Sequence, residues 1–287
     1  IGVADGRTFV ASETSAFSRY TKNFISMKDG EIGVLKADAR LLPFDLTRTQ
    51  RAPEQNFKSS PPEPFPHWTL AEIFEQPETI ARALNFGGRL AADKVSLGGL
   101  DKNFDRVSQI KNMTLTACGS SINAARFGER LMKMLDCFDR VTTIDAADFN
   151  DDDFPNIEAR ETGIVAISQS GETKDVAHVV QQAIDRDITA LGVVNTVGSD
   201  IARAVKMGVY CNAGQEYAVA STKAFSAQVV VLALIALWFR QTRDYLGGSH
   251  HDLDTARLKE ALMRLPISFG MALGLRDSCR EIAQRLS

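Results

Sequence analysis

The sequence predicts an α/β protein with a doubly wound parallel sheet, preceded by a smaller β-rich segment. From residue 113 onward, short apolar strands alternate with amphipathic helices, as expected for a parallel sheet covered on both faces. The first fifty residues instead contain short apolar strands and turn residues. Between the two patterns, residues 52–66 (APEQNFKSSPPEPFP) hold five of the nine prolines and mark a domain boundary.

The amino-terminal segment is predicted to be β-rich. Strands are expected at 8–11 and 23–27, and the turn residues Asp29 and Gly30 between two apolar runs predict a β-hairpin. Strands this few do not make a stable domain by themselves. We therefore expect residues 1–50 to be the end of a larger domain and residues 51–70 to be a linker.

The part of the chain after the linker alternates between helices and strands. Residues 69–86 are predicted to be helical, with Pro77 breaking the helix or beginning a new first turn. The pattern then implies parallel strands joined by right-handed crossovers. Strands are expected at 113–117, 140–145, 163–168, 188–195 and 207–212, and helices at 122–135, 173–184 and 199–206. Buried helix faces are predicted for Ala125, Gly128, Met132 and Leu135, and for Val176, Val179, Val180, Ala183 and Ile184.

The longest apolar run is VVVLALIALWF, residues 229–239. A membrane span needs about 20 apolar residues. Because this run is shorter and lies between Gln228 and Arg240, we expect a buried core helix and no membrane segment. Residues 252–287 predict helices only, the first ending at Pro266. We therefore assign 71–247 to one α/β domain and 248–287 to the start of another.

Composition excludes several classes of function. The formal net charge of −3 and the pI of about 5.9 argue against a nucleic-acid-binding protein. The four cysteines form no C-x-x-C pair, which favours reduced thiols and a cytoplasmic protein. No metal motif, P-loop or G-x-G-x-x-G is present, so no cofactor is indicated. The adjacent His250 and His251 are expected to lie in a solvated loop.

Two hydroxyl-rich loops follow predicted strands and precede helices: CGSS (118–121) and SQSGET (168–173). Ligands of parallel α/β sheets bind at the carboxyl ends of the strands, and helix N-termini attract anions. Glycines here let the backbone approach a ligand closely. Two such loops favour an anion site, with phosphate as the candidate ligand, although Ser and Thr at these places also cap helices. The polar donors of these loops are Ser120, Ser121, Ser168, Gln169, Ser170 and Thr173.

Nucleophilic catalysis is a weaker interpretation of the same loops. The serines do not occur in G-x-S-x-G, and no histidine is evidently paired with an aspartate. Cys118 starts a helix, but a small residue packing at a strand end explains it better than a nucleophile. A third stretch, NAGQEYAVASTKAF (212–225), has small residues that would let a ligand lie against the backbone. Ser221 or Thr222 could instead cap the helix that follows.

Together these motifs resemble the sugar isomerase (SIS) half of the glutamine–fructose-6-phosphate aminotransferase family. CGSS-x-N, SQSGET and AGQEYAVASTKAF occur in the family's order, and the combination of VASTKAF with EQPE upstream is specific to it. EIFEQPETI (72–80), SLGGL (96–100) and NTVGSDIAR (195–203) match as well. The resemblance covers essentially the whole chain, and the opening strands resemble the end of the family's Ntn-type glutaminase domain.

The resemblance implies an enzyme that converts fructose 6-phosphate and glutamine to glucosamine 6-phosphate and glutamate, toward UDP-N-acetylglucosamine. It implies no cofactor, and a homo-oligomeric, dimeric or tetrameric, parent protein. Residues implied to bind phosphate are Ser120, Ser168, Gln169, Ser170 and Thr173, with Cys118, Gly119 and Ser121 in the adjoining turn. Val219 and Ser221 match positions that contact the sugar. Ser120 stands where the family usually has threonine, and Glu13 where the family has an aspartate that holds the amino group of glutamine.

The resemblance places the catalytic groups outside this chain: the glutaminase cysteine, the isomerase base, the ring-opening histidine and the Schiff-base lysine. We therefore expect an internal fragment that binds sugar phosphate without turnover. Lys223 is expected to have a structural role at a helix start. The alternative is a non-catalytic SIS module that senses a sugar phosphate.

Overall fold

The computed structural model describes residues 1–4, 6–11, 14–28, 30–35, 44–51, 60–91, 94–247 and 252–286. The chain divides into two units, Ile1–Ser60 and Pro61–Ser287. Glu13, His250 and His251 lie outside the described residues, so the predictions made for them stay predictions.

The first unit contains a four-stranded antiparallel sheet with the order β2-β1-β3-β4. Its strands are β1 (Gly2–Ala4), β2 (Arg7–Phe9), β3 (Asn23–Phe24) and β4 (Gln50–Arg51), and short 3₁₀ helices cover Thr14–Phe17 and Leu46–Arg48. Phe17 and Ile25 are buried beside this sheet. The β-rich character is as predicted, while the origin of this unit in a glutaminase domain stays a prediction.

The predicted hairpin around residue 30 is wrong for the described residues. Asp29 lies outside the described residues, while on either side of it the Lys28 N–H donates to Glu31 Oε2 and the Glu31 N–H donates to the Lys28 carbonyl, at 2.8 and 3.0 Å. No strand follows in residues 30–35, and β3 pairs with β1 and β4 instead. Arg48 forms an ion pair with Glu31 and also donates to the Ser26 carbonyl, so a side chain occupies the acceptor that a hairpin partner would need.

The second unit is built on a five-stranded parallel sheet with the order β6-β5-β7-β8-β9. The strands are β5 (Asn112–Ala117), β6 (Arg140–Asp145), β7 (Thr162–Ser168), β8 (Thr189–Val194) and β9 (Gly208–Tyr210). The helices are α1 (Trp68–Ala83), α2 (Gly98–Asp101), α3 (Phe104–Val107), α4 (Ser120–Met134), α5 (Lys174–Asp185), α6 (Asp200–Val205), α7 (Lys223–Tyr245), α8 (Asp252–Leu273) and α9 (Arg276–Leu286). Short 3₁₀ helices cover Asn85–Gly87, Asp151–Asp153 and Ala159–Glu161.

Helices cover both faces of this sheet, which confirms the predicted doubly wound α/β architecture. Leu115, Val165 and Leu191 belong to an apolar cluster with α1, α4 and α7 on one face. Ile164 and Ala190 belong to a second cluster with α5 and α6 on the other. Because side chains alternate along a strand, central strands buried on both faces need continuous apolar sequence, as β7 and β8 have.

The predicted helix faces are buried, with one exception. Ala125, Gly128, Met132 and Leu135 of the α4 region are buried, and so are the four predicted residues of α5 up to Ala183. Ile184 is 39% exposed, because it lies at the margin of the apolar stripe in the last turn of α5.

Helix α7 is long and apolar enough to cross a membrane, judged by length and composition alone. Within the second unit, however, 83% of its most apolar 18-residue stretch is buried. The prediction of a core helix is therefore confirmed. The Trp238 indole N–H donates to Asp101 Oδ1 at 2.7 Å, so the polar edge of this buried ring has a partner.

Two predictions about prolines are wrong. Helix α1 runs without a break through Pro77. A proline removes the N–H that would bond the carbonyl four residues earlier, that of Ile73. The Gln76 side-chain amide donates to this carbonyl at 3.1 Å and replaces the missing donor. Helix α8 likewise continues through Pro266 to Leu273, and it packs along α1.

Candidate ligand-binding site

The strand order of the parallel sheet predicts a crevice at its carboxyl edge. From β5 the chain continues to β6 on one side, whereas β7 lies on the other side of β5. Helix α4 follows β5 onto one face and α5 follows β7 onto the opposite face. Neighbouring strands whose connections diverge in this way form a topological switch point, where ligands bind in open α/β sheets.

The two predicted loops flank this switch point. Thr116 of β5 pairs with Ala166 of β7, so Cys118 and Ser168, each two residues further on, lie at the same level of the carboxyl edge. The loops 118–121 and 168–173 therefore lie side by side at the carboxyl edge. The sequence placed both at strand ends, but only the strand order makes them neighbours.

Hydroxyl groups fold the loop 168–173 on itself. Ser168 is buried, and its Oγ accepts the Gly171 N–H at 3.0 Å. The hydroxyls of Ser168 and Thr173 share a hydrogen bond of 3.0 Å, and Ser170 Oγ accepts the Glu172 N–H at 3.1 Å. The loop is thus preorganised by its own donors and acceptors.

Gly171 has the one conformation in this loop that requires glycine. Its φ is +70°, and a Cβ atom would lie 2.0 Å from Ser199 Oγ. The Gly171 carbonyl accepts the Ile201 N–H at 3.0 Å, and Glu172 Oε1 accepts the Asp200 N–H at 3.0 Å. The loop is therefore fastened to the start of α6 on its far side.

Helices α4 and α5 both begin at this crevice, and neither has a side-chain hydrogen bond at its N-cap. Gly119 is the N-cap of α4, and Ser120 beside it is exposed. Thr173 is the N-cap of α5, but its hydroxyl bonds Ser168 instead. Neither loop therefore caps its helix through a side-chain hydrogen bond. Helix starts without a side-chain cap present N–H groups and partial positive charge to the crevice, as an anion site requires.

Cys118 lies between carboxylates. Burial raises the pKa of its thiol, and so do Asp145 and Asp175, with the Sγ atom 4.0 Å from Asp175 Oδ2. A raised pKa lowers the fraction of thiolate, which is the nucleophilic form. The surroundings of Cys118 therefore favour the packing role over the nucleophile. Ser121, three residues further on, is buried.

The third predicted segment joins β9 to α7 at the same edge of the sheet. Val219 is fully exposed at its tip. Asn195, at the end of β8, holds the segment: its Nδ2 donates to the Gly214 carbonyl and its Oδ1 accepts the Ala213 N–H, both at 2.7 Å. Among the described residues, Val219 and Ser221 make no hydrogen bond to either hydroxyl-rich loop.

A carboxylate that sequence reasoning missed caps helix α7. Glu216 Oε1 accepts the N–H groups of Thr222 and Ala224 at 2.9 and 3.2 Å, and Glu216 Oε2 accepts the Ser221 hydroxyl at 3.1 Å. Thr222 occupies the N-cap position of α7, as one alternative had it, but its side chain makes no capping hydrogen bond, and Glu216 accepts the N–H groups instead. An acidic residue shortly before an apolar helix was the available signal.

Helix α1 carries a polar row that faces this segment. Glu75 forms an ion pair with the buried Lys223 at 2.8 Å, and Gln76 Oε1 accepts the Ser226 hydroxyl. Lys223 is the first residue of α7, as predicted. The EQPE and STKAF motifs, about 150 residues apart, are thus in direct contact.

Two further features help to delimit the site. A cavity of about 290 Å³ lies beside β9 and is lined by Arg89, Gly99, Lys206, Tyr210 and neighbouring residues, with none of the predicted site residues. The predicted site is therefore the open crevice and not this cavity. In the part of the chain that the structure describes, no group of three or more His, Cys, Asp or Glu side chains could hold a metal ion.

The chain is similar to known proteins. Residues 107–238 match the SIS domain family. The chain is 33% identical, over all of its length, to a glutamine–fructose-6-phosphate aminotransferase (isomerizing) of Chlorobaculum tepidum, and 31% identical, over 99% of its length, to one of Bacteroides thetaiotaomicron. The chain spans 46% of each of these relatives, about half of their length. It also resembles the C-terminal domain of glucosamine-fructose-6-phosphate aminotransferase from Francisella tularensis, with a TM-score of 0.68 and 26% identity over 77% of this chain and 59% of that one.

Proposed function

Because the chain carries a SIS domain and is homologous throughout to isomerising glutamine–fructose-6-phosphate aminotransferases, we propose that it binds fructose 6-phosphate and glucosamine 6-phosphate. The phosphate lies in the switch-point crevice between loops 118–121 and 168–173. The parent protein then transfers ammonia from glutamine to C2 of the open-chain ketose and isomerises the product to an aldose. We place this protein in the cytoplasm, as a homo-oligomer.

One observation carries this proposal: two hydroxyl-rich loops and two helix starts without side-chain caps converge on one crevice. A phosphate group accepts hydrogen bonds from hydroxyl groups and from helix N–H groups, and the partial positive charge at a helix start stabilises it. Neutral donors suit a ligand that must also leave, and they fix its orientation without reacting with it.

The proposal divides the candidate residues by the part of the ligand that they contact. Donors to the phosphate are Ser120, Ser168, Gln169, Ser170 and Thr173. Cys118, Gly119 and Ser121 shape the adjoining turn, and Val219 and Ser221 contact the sugar. Proton transfer between C1 and C2 needs acid–base groups, and we assign no such step to the residues of this chain. Glu13 is proposed to contact glutamine in the parent protein.

Calorimetric titration with fructose 6-phosphate tests the proposal. We expect measurable heat with the unaltered chain at millimolar ligand, and its loss in the variant Ser168→Ala/Thr173→Ala, which removes the paired hydroxyls. Ser108→Ala, a serine away from the crevice, is the matched control and should titrate like the unaltered chain. Absence of heat in the unaltered chain, or equal heat in the double variant, would contradict the phosphate site.

A non-catalytic module that senses a sugar phosphate would use the same crevice. This alternative is not favoured, because the relatives that match the whole chain are named as enzymes.

A further inference from the structure

The segment that carries Val219 is held from outside the sheet by helix α1. The Trp68 ring stacks on Tyr217, with the ring centroids 4.2 Å apart and an angle of 19° between the planes. One turn further along α1, Glu72 Oε1 accepts the Tyr217 N–H at 2.5 Å and the Ala218 N–H at 3.2 Å. The first turns of α1 thus contact this segment at the Tyr217 side chain and at the backbone of Tyr217 and Ala218.

Glu72 is an unusual residue for a purely structural contact. Only 1% of it is exposed, and its Oε2 is buried with no hydrogen-bond partner among the described residues. Burying a carboxylate is costly, and an apolar side chain of similar volume is often neutral or stabilising in such a place. A buried carboxylate that bonds one backbone turn therefore points to a requirement for the shape of that turn.

The exposed tip of the segment lies between two carboxylate anchors. Glu72 holds the backbone on one side, at Tyr217 and Ala218. Glu216 holds it on the other, at Thr222 and the residues around it. Val219 and Ala220 between these anchors are exposed, so their position depends on the anchors and not on packing of their own side chains.

We propose that Glu72 is a positioning residue for the hexose end of the ligand: its carboxylate holds the turn that presents Val219 and Ser221 to the sugar. The inference rests on the proposed function, since it assumes a sugar phosphate anchored by its phosphate in the switch-point crevice. Glu72 does not touch the ligand, and it acts on the sugar contacts while leaving the phosphate contacts unchanged.

Comparing the affinities of two ligands distinguishes an effect on the sugar contacts from an effect on the phosphate contacts. Fructose 6-phosphate uses both, whereas glycerol 3-phosphate is a phosphate monoester without a hexose. If the turn adopts its binding-competent conformation in only about a tenth of the Glu72→Ala molecules, the affinity of this variant for fructose 6-phosphate falls about tenfold. We expect its affinity for glycerol 3-phosphate to stay within about twofold, because sites that share no partners behave additively.

Rescue by the isosteric variant distinguishes positioning from general damage. In Glu72→Gln the amide oxygen can accept both backbone N–H groups, so we expect fructose 6-phosphate affinity close to that of the unaltered chain. Glu78→Ala removes a carboxylate that is 68% exposed on the same helix, and it should change neither affinity. If Glu72→Ala fails to fold, Trp68→Leu provides a second test. It removes the ring that stacks on Tyr217 without removing a charge, and it should show the same selective loss of affinity for fructose 6-phosphate.

The outcomes separate the two proposals. Binding of neither ligand by the unaltered chain would contradict the proposed function. Binding of both ligands, together with unchanged fructose 6-phosphate affinity in folded Glu72→Ala or in Trp68→Leu, would overturn the role of Glu72 alone. An equal loss of affinity for both ligands would also overturn it, because it would show damage to the whole crevice.

Discussion

Gly171 shows how a single residue adapts the phosphate loop to its surroundings. A positive φ is strained for any residue with a Cβ atom, and here a Cβ would also collide with Ser199 Oγ at 2.0 Å. Gly198 provides a natural comparison, because its φ is +72° but a Cβ there would meet nothing within 4 Å. The two positions separate backbone strain from steric collision.

We expect Gly198→Ala to lower the free energy of unfolding by about 1 kcal/mol through strain alone. Gly171→Ala should lower it by about 3 kcal/mol, because overpacking adds to the strain. Urea unfolding followed by circular dichroism measures both. An equal loss of unfolding free energy in the two variants would show that Ser199 moves aside freely. The loop would then be less tightly held to α6 than the structure indicates.

The sequence motif around Cys118 does not decide the role of this single residue. A cysteine at the start of a helix is compatible with a nucleophile or with a small packing residue. The choice depends on Asp145 and Asp175, which together with burial raise the pKa of the thiol. Neither aspartate is close to Cys118 in sequence, so the pattern around the cysteine carries no signal of them.

At the scale of elements, the contact between α1 and α7 depends on buried charge. Lys223 is almost completely buried and bonds Glu75, whereas Glu75 is partly exposed and also bonds Arg82. Removing Glu75 would leave a buried ammonium without this carboxylate. Removing Lys223 would leave Glu75 with Arg82 and with solvent.

We therefore expect an asymmetric response in urea unfolding at pH 7. Glu75→Ala should cost about 3 kcal/mol, in the range for an uncompensated buried charge, and Lys223→Met about 1 kcal/mol, in the range for one net hydrogen bond. Glu78→Ala on the same helix serves as the control with little effect. A larger cost for Lys223→Met than for Glu75→Ala would contradict this assignment of the buried charge.

The pH dependence of this ion pair has a defined sign. Burial by itself raises the pKa of Glu75, but the hydrogen bonds from Lys223 and Arg82 outweigh it and hold the pKa below its usual 4.5. A lowered folded-state pKa means that the contribution of Glu75 is present at neutral pH and is lost as the pH falls below its usual value. This contact should therefore weaken only in acid.

Local rules for helix breaks and turns gave wrong predictions where a side chain replaces a backbone group. Pro77 predicts a break from local rules, and the rule fails because Gln76 supplies the missing donor to Ile73. The hairpin prediction failed for a similar reason, since Arg48 occupies a carbonyl that the second strand would need. In both cases a side chain substitutes for a backbone group, and turn or breaker statistics do not include such substitutions.

At the scale of the whole molecule, the candidate ligand-binding residues other than Glu13 all belong to Pro61–Ser287. We expect a variant lacking residues 1–60 to bind fructose 6-phosphate within about twofold of the full chain, because independent sites behave additively. Circular dichroism confirms that the shortened chain is folded, and calorimetry measures the affinity. A folded variant that has lost binding would show that the first unit contributes to the site.

Local sequence patterns were enough to predict the kind of sheet, most strand and helix positions, and the loops that carry polar donors. These follow from apolar periodicity and from turn residues, which are local properties of the chain. Three features became visible only in the folded chain: β5 and β7 are neighbours, Glu216 caps α7, and Glu72 bonds the turn beside Val219. Strand order and buried polar contacts join residues that are distant in sequence. Their energies therefore depend on the packing of the whole domain, and no local pattern records them.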